Sequence, residues 1–322
     1  MQDASFPRLL GDIGGTNARF AWQPSRDAAP GRVAIYPCAE HESLLAAMRH
    51  YLAQQQLPAP GACAIGIANP VTGDHVQMTN HTWSFSIEQV RLALGLTRFL
   101  VLNDFTALAL SLTLLPADEL RQVGGGQAVP KAPIGLIGPG TGLGVSGLWA
   151  GLAGGPAVPI NGEGGHVTLA AADASEEAVV ARLRDRFGHC SAERAVSGPG
   201  LVNLYEALCT LDGVAAETLA AADITLRAEA GDSRCNRVLD LFFSFLGNVA
   251  GNLALTLGTR GGMYIGGGIV PRLGARIDRS RFRERFEQKG RFADYLARVP
   301  TFVVEAKLSP ALLGAARALD EL

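Results

Sequence analysis

The chain has 322 residues, 48% of them hydrophobic, and a formal net charge of −2 at pH 7. A chain of this length can bury a full hydrophobic core and suits two domains of ordinary size. The near-neutral charge favours neither a nucleic acid nor a membrane as partner, because such binding depends on clustered basic charge. We therefore expect a soluble protein that acts on a small molecule.

Cysteine usage and the N-terminus bear on the cellular compartment. The five cysteines are far apart and form no CxxC pair, which argues against disulfides and structural zinc. The stretch MQDASFPRLL lacks the basic and apolar regions of a signal peptide, and no run reaches the roughly 18 apolar residues of a membrane span. These features predict reduced cysteines and a cytoplasmic protein.

The first motif is LLGDIGGTNARFAW at residues 9–22, in which an apolar strand meets Asp12 and a glycine turn follows. The glycines let backbone N–H groups approach phosphate oxygens, and Thr16 and Asn17 add side-chain donors. Asp12 has the chemistry to hold the hydration shell of a Mg²⁺ ion on nucleotide phosphates. On these residues alone, a plain β-hairpin with an Asx turn is an equal alternative.

Further along, short apolar strands at 62–67 and 98–102 alternate with helical patterns at 42–54 and 105–115. This alternation predicts the α/β class, and the turn-rich stretch at 115–133 is the predicted domain boundary. The segment LIGPGTGLGVSGLW, residues 136–149, matches the length and four residues of the first motif. The match suggests a strand, a turn and a second strand in each of two related domains.

The stretch FLVLNDFTALAL, residues 99–110, leads a strand into Asn103 and Asp104 before a helix begins. Asp104 is either the N-cap of that helix or a base that accepts a proton from a hydroxyl attacking a phosphoryl group. The carboxyl end of a strand is where an α/β fold places its reacting groups, which keeps the second interpretation open.

Two more glycine-rich stretches follow, GPGTGLG at 138–144 and GGMYIGGGIVPRL at 261–273. Neither fits the P-loop pattern, and the second lacks the dinucleotide fingerprint. The first repeats the logic of a phosphate turn. In the second, the glycines leave room for an adenosine to lie flat on the backbone.

The turn NGEGGHV, residues 161–167, carries Glu163 and His166. Because no third metal ligand follows, we favour hydrogen bonds to sugar hydroxyls over a metal site. Glu193, in SAERAVSGPG, is by itself an ordinary surface glutamate. The stretch 272–291 holds eight basic residues, and its pattern predicts a solvated helix with an aromatic pair on the core, with a nucleic-acid patch as the alternative.

Together, seven motifs resemble the bacterial glucokinase family of the sugar-kinase and actin superfamily, over nearly the whole chain. In order they are GDIGGTNAR, TNHTWSFS, LNDFTA, GPGTGLG, GEGGHV, SAERAVSGPGLVNLY and YIGGGIVPR. The resemblance implies a two-domain actin-like (ribonuclease H-like) fold around a cleft, with domains 1–115 plus 301–322 and 116–300. It also implies that the final helix, 310–322, returns to the N-terminal domain.

The resemblance further implies ATP-dependent phosphorylation of the 6-hydroxyl of glucose, the first step of glycolysis. Asp104 becomes the catalytic base, Asn80 and His81 belong to a sugar loop, and a homodimer is the expected assembly. The implied sugar contacts are Asn103, Asp104, Glu163, His166 and Glu193. The implied ATP contacts are Gly11, Asp12, Ile13, Gly14, Gly15, Thr16, Asn17, Gly138, Gly140, Thr141, Gly142, Gly266, Gly267 and Gly268, with Asp12 reaching Mg²⁺ through water.

The chain departs from the related ROK sugar kinases in lacking a cysteine-rich zinc motif after His166. It also lacks the N-terminal helix-turn-helix of repressors in that group, which disfavours a DNA-binding regulator. Two alternatives remain at this point, a kinase for another hexose and a catalytically silent sugar sensor. Asp104 favours catalysis, because a binding protein needs no base there.

Overall fold

The structure is a computed structural model that describes residues 5–79, 81–149, 151 and 155–322, so Asn80 lies outside the described residues. Strands and helices alternate as the α/β class requires. The chain forms two compact units. The first is Met1–Pro116 with Gly151–Asn161 and Ala306–Leu322, and the second is Ala117–Ala150 with Gly162–Glu305.

The first unit contains a five-stranded sheet in the order β3-β2-β1-β4-β7. Strands β1, β4 and β7 are parallel, and β2 and β3 continue the sheet antiparallel. Ile13 pairs with Ile67, which pairs with Asn103, so these parallel strands end side by side. The turn after β1 and the helix after β7 therefore begin at the same carboxyl end of the sheet. The strands are β1 Arg8–Ile13, β2 Asn17–Gln23, β3 Gly31–Pro37, β4 Ala62–Ile67 and β7 Arg98–Asn103, with β5 His75–Gln77 and β6 Ser84–Ser86 in a separate hairpin.

The α-helices among the described residues of the first unit are α1 Leu44–Gln54, α2 Ile87–Ala93, α3 Asp104–Ser111 and α11 Pro310–Glu321. Helix α3 ends at Ser111, short of the 115 predicted from its apolar pattern. The C-terminal helix α11 packs on α3, where Gly314 lies directly against the carbonyl of Ala107 and leaves no room for a side chain. The last helix therefore supports the one that carries Asp104.

The second unit repeats the arrangement of a hairpin beside parallel strands. Its strands run in the order β10-β9-β12-β13-β8, in which β9 and β10 form the hairpin and β12 is parallel to β9 and β13. The segments 9–22 and 136–149 are thus both a strand, a turn and an antiparallel strand, as their similarity predicts. The strands are β8 Leu120–Val123, β9 Ile134–Pro139, β10 Leu143–Trp149, β12 Met263–Ile265 and β13 Thr301–Val304, while β11 Val158–Asn161 lies among the residues of the first unit.

Helix α7, Ser233–Leu257, is the core helix of the second unit. It is long and apolar enough to span a membrane, but 72% of its most apolar 18-residue window is buried in the protein. All five cysteines are free, as the sequence predicts, and the structure also places each of them in the protein interior. The other helices are α4 Ala174–Phe187, α5 Gly198–Leu211, α6 Ala221–Glu229, α8 Ile269–Leu273, α9 Phe282–Glu287 and α10 Ala293–Ala297.

The basic stretch 272–291 is not the solvated helix that its pattern predicts. Helix α8 ends at Leu273, before Gly274 with its φ of +54°, and the chain returns to an α-helix only over Phe282–Glu287. Arg285 is 2% exposed and pairs with Asp173 and Glu176. The predicted aromatic pair, Phe282 and Phe286, is fully buried, so this segment is mainly a covering of the core.

Candidate active site

The turn between β1 and β2 is closed by backbone hydrogen bonds. Gly14 N–H donates to the carbonyl of Asn17 over 2.9 Å. Cys38 holds the turn from the side, because its N–H donates to Thr16 O at 2.8 Å and its thiol to Gly14 O at 3.4 Å. Burial raises the pKa of the Cys38 thiol, which keeps it protonated as a donor. The two strands and their turn thus form a β-hairpin, as the plain-hairpin alternative predicts. A hairpin of this kind does not exclude a phosphate turn.

The residues of the first motif differ in what they present to a ligand. Gly11 is buried, and a Cβ there would lie 2.6 Å from Ile65 Cγ2, so packing requires this glycine. Ile13 is also fully buried, whereas Gly14, Gly15 and Asn17 are half-buried and Thr16 is exposed. Gly11 and Ile13 therefore belong to the supporting strand, and residues 14–17 form the accessible surface.

Asp12 is held by two neighbours that sequence reasoning missed. Its Oδ2 accepts a hydrogen bond of 3.1 Å from Arg19 Nη1 and one of 2.6 Å from Ser309 Oγ. Arg19 is the cross-strand partner of Asp12, a pairing that the hairpin register contains. Ser309 precedes α11 and is 297 residues away, so no local pattern marks it.

Asn103, rather than Asp104, caps helix α3. Asn103 Oδ1 accepts hydrogen bonds from the N–H groups of Phe105 and Thr106 at 2.9 and 3.2 Å. Asp104 is the first helical residue, and its Oδ1 accepts a 2.9 Å hydrogen bond from Phe105 N–H. The N-cap interpretation of Asp104 is therefore wrong. A carboxylate at this position is stabilised by the positive end of the helix dipole.

In the second unit, three motifs meet at Leu143, the first residue of β10. Glu193 Oε2 accepts a hydrogen bond of 2.9 Å from Leu143 N–H. Gly165 packs directly against the carbonyl of Leu143, where any larger residue would collide. Glu163 and His166 flank that contact, are exposed, and make no side-chain hydrogen bond within the described part of the chain.

The glycine cluster after β12 packs against the end of β9. Gly266 is buried, and its N–H donates to Ile137 O at 2.8 Å. Gly267 requires glycine twice, because its φ is +75° and a Cβ would collide with the carbonyl of Pro139. Within the cluster, Gly266 is buried, Gly267 is half-buried and Gly268 is exposed. Gly138, near the end of β9, is also buried.

A cavity of about 700 Å³ opens beside this cluster. Gly140, Thr141 and Gly268, all in the implied ATP set, line one side of it. Helices α5 and α6 supply much of the remaining wall. Sequence reasoning gave no ATP contact to α5, although a motif runs into that helix, and it missed α6 because α6 carries no motif. These additional wall residues include Gly198, Pro199, Val202, Ala222, Thr225 and Glu229.

The fold, the glycine turns after β1 and β9, and the polar residues Asn103, Asp104 and Glu193 together are those of an actin-like sugar kinase. A solved glucokinase structure from an Antarctic psychrotroph superimposes with a TM-score of 0.89 and 36% identity, covering 98% of this chain and 99% of that one. The α/β actin-like class predicted from sequence is confirmed.

Sequence comparisons narrow the class to a family. The glucokinase family model matches residues 9–322. The glucokinase of Aromatoleum aromaticum is 56% identical over 98% of this chain and 95% of its own length. That of Chromobacterium violaceum is 51% identical over 98% of this chain and 90% of its own length. The chain belongs to the glucokinase family.

Proposed function

We propose that this protein transfers the γ-phosphoryl group of ATP to the 6-hydroxyl of glucose, giving glucose 6-phosphate and ADP at the start of glycolysis. The observation that carries the proposal is the meeting at Leu143 of the second phosphate turn with the turns bearing Glu163, His166 and Glu193. The side chains proposed to contact the sugar and the turn proposed to bind phosphate thereby meet at one strand end. Family membership of the whole chain supports the same activity.

Asp104 is the proposed base, accepting the proton of the 6-hydroxyl as its oxygen attacks the γ-phosphorus. Helix α3 fixes the backbone of Asp104, and the Asn103 cap fixes the start of that helix. Glu163, His166 and Glu193 are proposed to bind the remaining hydroxyls, since carboxylates accept and an imidazole can both donate and accept. Asn103 can use its amide N–H groups in the same way, because its oxygen is engaged in the cap.

ATP is proposed to bind through the turns at 14–17 and 140–142, with adenosine in the cavity beside Gly268. A volume of about 700 Å³ lies within the usual range of small-molecule sites, roughly 300–1,000 Å³. The backbone N–H groups of both turns are suited to phosphate oxygens. Helix α6 would then face the base or the ribose.

Mg²⁺ fits this proposal as an ion that arrives with the nucleotide. Among the described residues, no group of three or more His, Cys, Asp or Glu side chains is arranged to hold a metal. Asp12 offers the hard oxygen chemistry that Mg²⁺ prefers, but Arg19 and Ser309 already engage its Oδ2. Asp12 would therefore contact the ion through water, and the bound ion would neutralise charge on the phosphates.

We also infer a cytoplasmic enzyme that forms a homodimer and binds neither nucleic acid nor membranes. The internal pairing of Arg285, and the donation by Arg283 to the carbonyls of Leu296, Ala297 and Val299, support the lack of a nucleic-acid patch. Light scattering during gel filtration measures the assembly directly.

A coupled assay of ADP release over a panel of hexoses tests the function. A hexose with one hydroxyl inverted would cover one of these polar side chains without pairing with it, which costs about 1–3 kcal/mol, so glucose should exceed galactose in kcat/KM by about 5- to 150-fold. Equal values would contradict the sugar contacts, and a preference for another hexose would reassign the substrate. Glucose binding without ADP release would indicate a silent sensor.

A further inference from the structure

The two carboxylate oxygens of Glu193 have different surroundings. Oε2 accepts the 2.9 Å hydrogen bond from Leu143 N–H, directly after the phosphate turn that ends at Gly142. Oε1 makes no hydrogen bond to any residue that the structure describes, and Glu193 is only half-buried. One oxygen therefore holds the protein backbone, while the other is left for a ligand.

The segment that carries Glu193 also braces the opposite end of the same turn. Ser197 Oγ donates to Glu193 O at 2.8 Å, and Gly198 N–H donates to Gly140 O at 2.8 Å. Gly140 N–H in turn donates to Gly142 O at 2.8 Å, closing the turn on itself. The segment from Glu193 to Gly198 therefore contacts both ends of this turn, through a side chain at Leu143 and through the backbone at Gly140.

We infer that Glu193 is a positioning residue that couples sugar binding to the ATP-binding turn. A sugar hydroxyl donates to Oε1 and fixes the side-chain rotamer in which Oε2 holds Leu143 N–H. The ordered turn then binds the ATP phosphates more tightly. By linkage, ATP must tighten sugar binding by the same factor. This inference rests on the proposed function, since it requires that Glu193 contact the sugar.

Gly142 allows the link to be broken without removing the carboxylate. A Cβ on Gly142 would lie 2.5 Å from Glu193 Oε2. Because that atom is the end of a flexible side chain, Gly142→Ala should fold and push the carboxylate off Leu143. Gly140→Ala is the matched control in the same turn, since a Cβ on Gly140 meets no protein atom within 4 Å.

The measurement is the dissociation constant of D-glucose by calorimetry, with and without saturating AMPPNP and Mg²⁺. The ratio of the two constants is the coupling factor, expected at about 5–150 for the wild type, the usual range of such couplings. Gly142→Ala should bring the ratio close to 1 and change glucose affinity without nucleotide much less. Gly140→Ala should keep the wild-type ratio even where AMPPNP binds more weakly.

Glu193→Ala supplies an independent test. It should lose both glucose affinity and coupling, and adding Gly142→Ala to it should reduce the coupling no further, because both changes break one link. A wild-type ratio in Gly142→Ala or in Glu193→Ala would overturn the inference, as would a ratio of 1 in the wild type. Coupled binding without ADP release would instead contradict the proposed function.

Discussion

Asn103 Oδ1 lies 3.2 Å from the backbone nitrogen of Thr106 and caps the helix in which Asp104 is the first residue. Two adjacent polar residues at one strand end thus have different structural roles. Capping by the first leaves the second outside the N-cap, with its backbone fixed by helix geometry. This division makes the roles of the two side chains separable by mutation.

Asp104→Asn should lower turnover by on the order of 10²–10⁴, the usual contribution of a general base. The amide keeps the size of the carboxylate and its oxygen can still accept a hydrogen bond, so glucose affinity should weaken only modestly. A coupled assay gives kcat and calorimetry gives the affinity. Retained turnover would assign the base to another group, and an equal collapse of both quantities would limit Asp104 to sugar binding.

Asn103→Ala and Asn103→Ser separate capping from sugar binding. The alanine variant should lose about 0.5–2 kcal/mol of stability, whereas serine, a good N-cap residue, should restore most of it. Both variants lack the amide and should bind glucose more weakly. Urea unfolding and calorimetry measure the two effects. Wild-type glucose affinity in Asn103→Ser would show that Asn103 only caps the helix.

Removal of divalent metal should abolish turnover without unfolding the protein. The reason is that no cluster of metal-ligating side chains was found among the residues that the structure describes, so the ion is expected to enter with ATP. Activity and thermal unfolding are followed in parallel after dialysis against a chelator, with Mg²⁺ restored as the control. Stoichiometric zinc in the purified protein, with unfolding on chelation, would refute this.

Asp173 should stabilise the second unit in a pH-dependent way. The hydrogen bond from Glu176 N–H, helped by Arg281, holds the pKa of Asp173 well below its usual range. The stability that ionised Asp173 adds to the folded state is therefore fully present above its unfolded pKa of about 4. This stability is lost as the pH falls towards the pKa of the folded state. Asp173→Asn should cost about 1–2 kcal/mol at neutral pH, allowing for partial exposure, and less in acid.

Urea unfolding of the wild type and of Asp173→Asn, at neutral pH and below about pH 4, measures this difference. Asp185→Asn is the control, because Asp185 is 62% exposed and pairs with Arg182 only at the surface. A stability difference for Asp173→Asn that does not change with pH would contradict the electrostatic explanation.

The sequence by itself determined the class of protein and the stretches that we propose for the site. Both hairpins are set by apolar strands interrupted by glycine, and these patterns lie within 14-residue segments such as 9–22. The strand that ends at Asn103 was predicted in the same way. Strands and turns of this kind can be predicted from sequence because they depend mainly on neighbouring residues, through backbone geometry and the alternation of apolar and polar side chains.

Only the tertiary structure decided which atoms meet. The contact of Ser309 with Asp12 spans 297 residues and that of Glu193 with Leu143 spans 50, and neither leaves a periodic trace in the sequence. The basic stretch was misread for a related reason, since spacing indicates a helix but not that Arg285 finds Asp173 across 112 residues. Long-range contacts depend on how whole elements pack, and packing is a property of the complete fold rather than of any one segment.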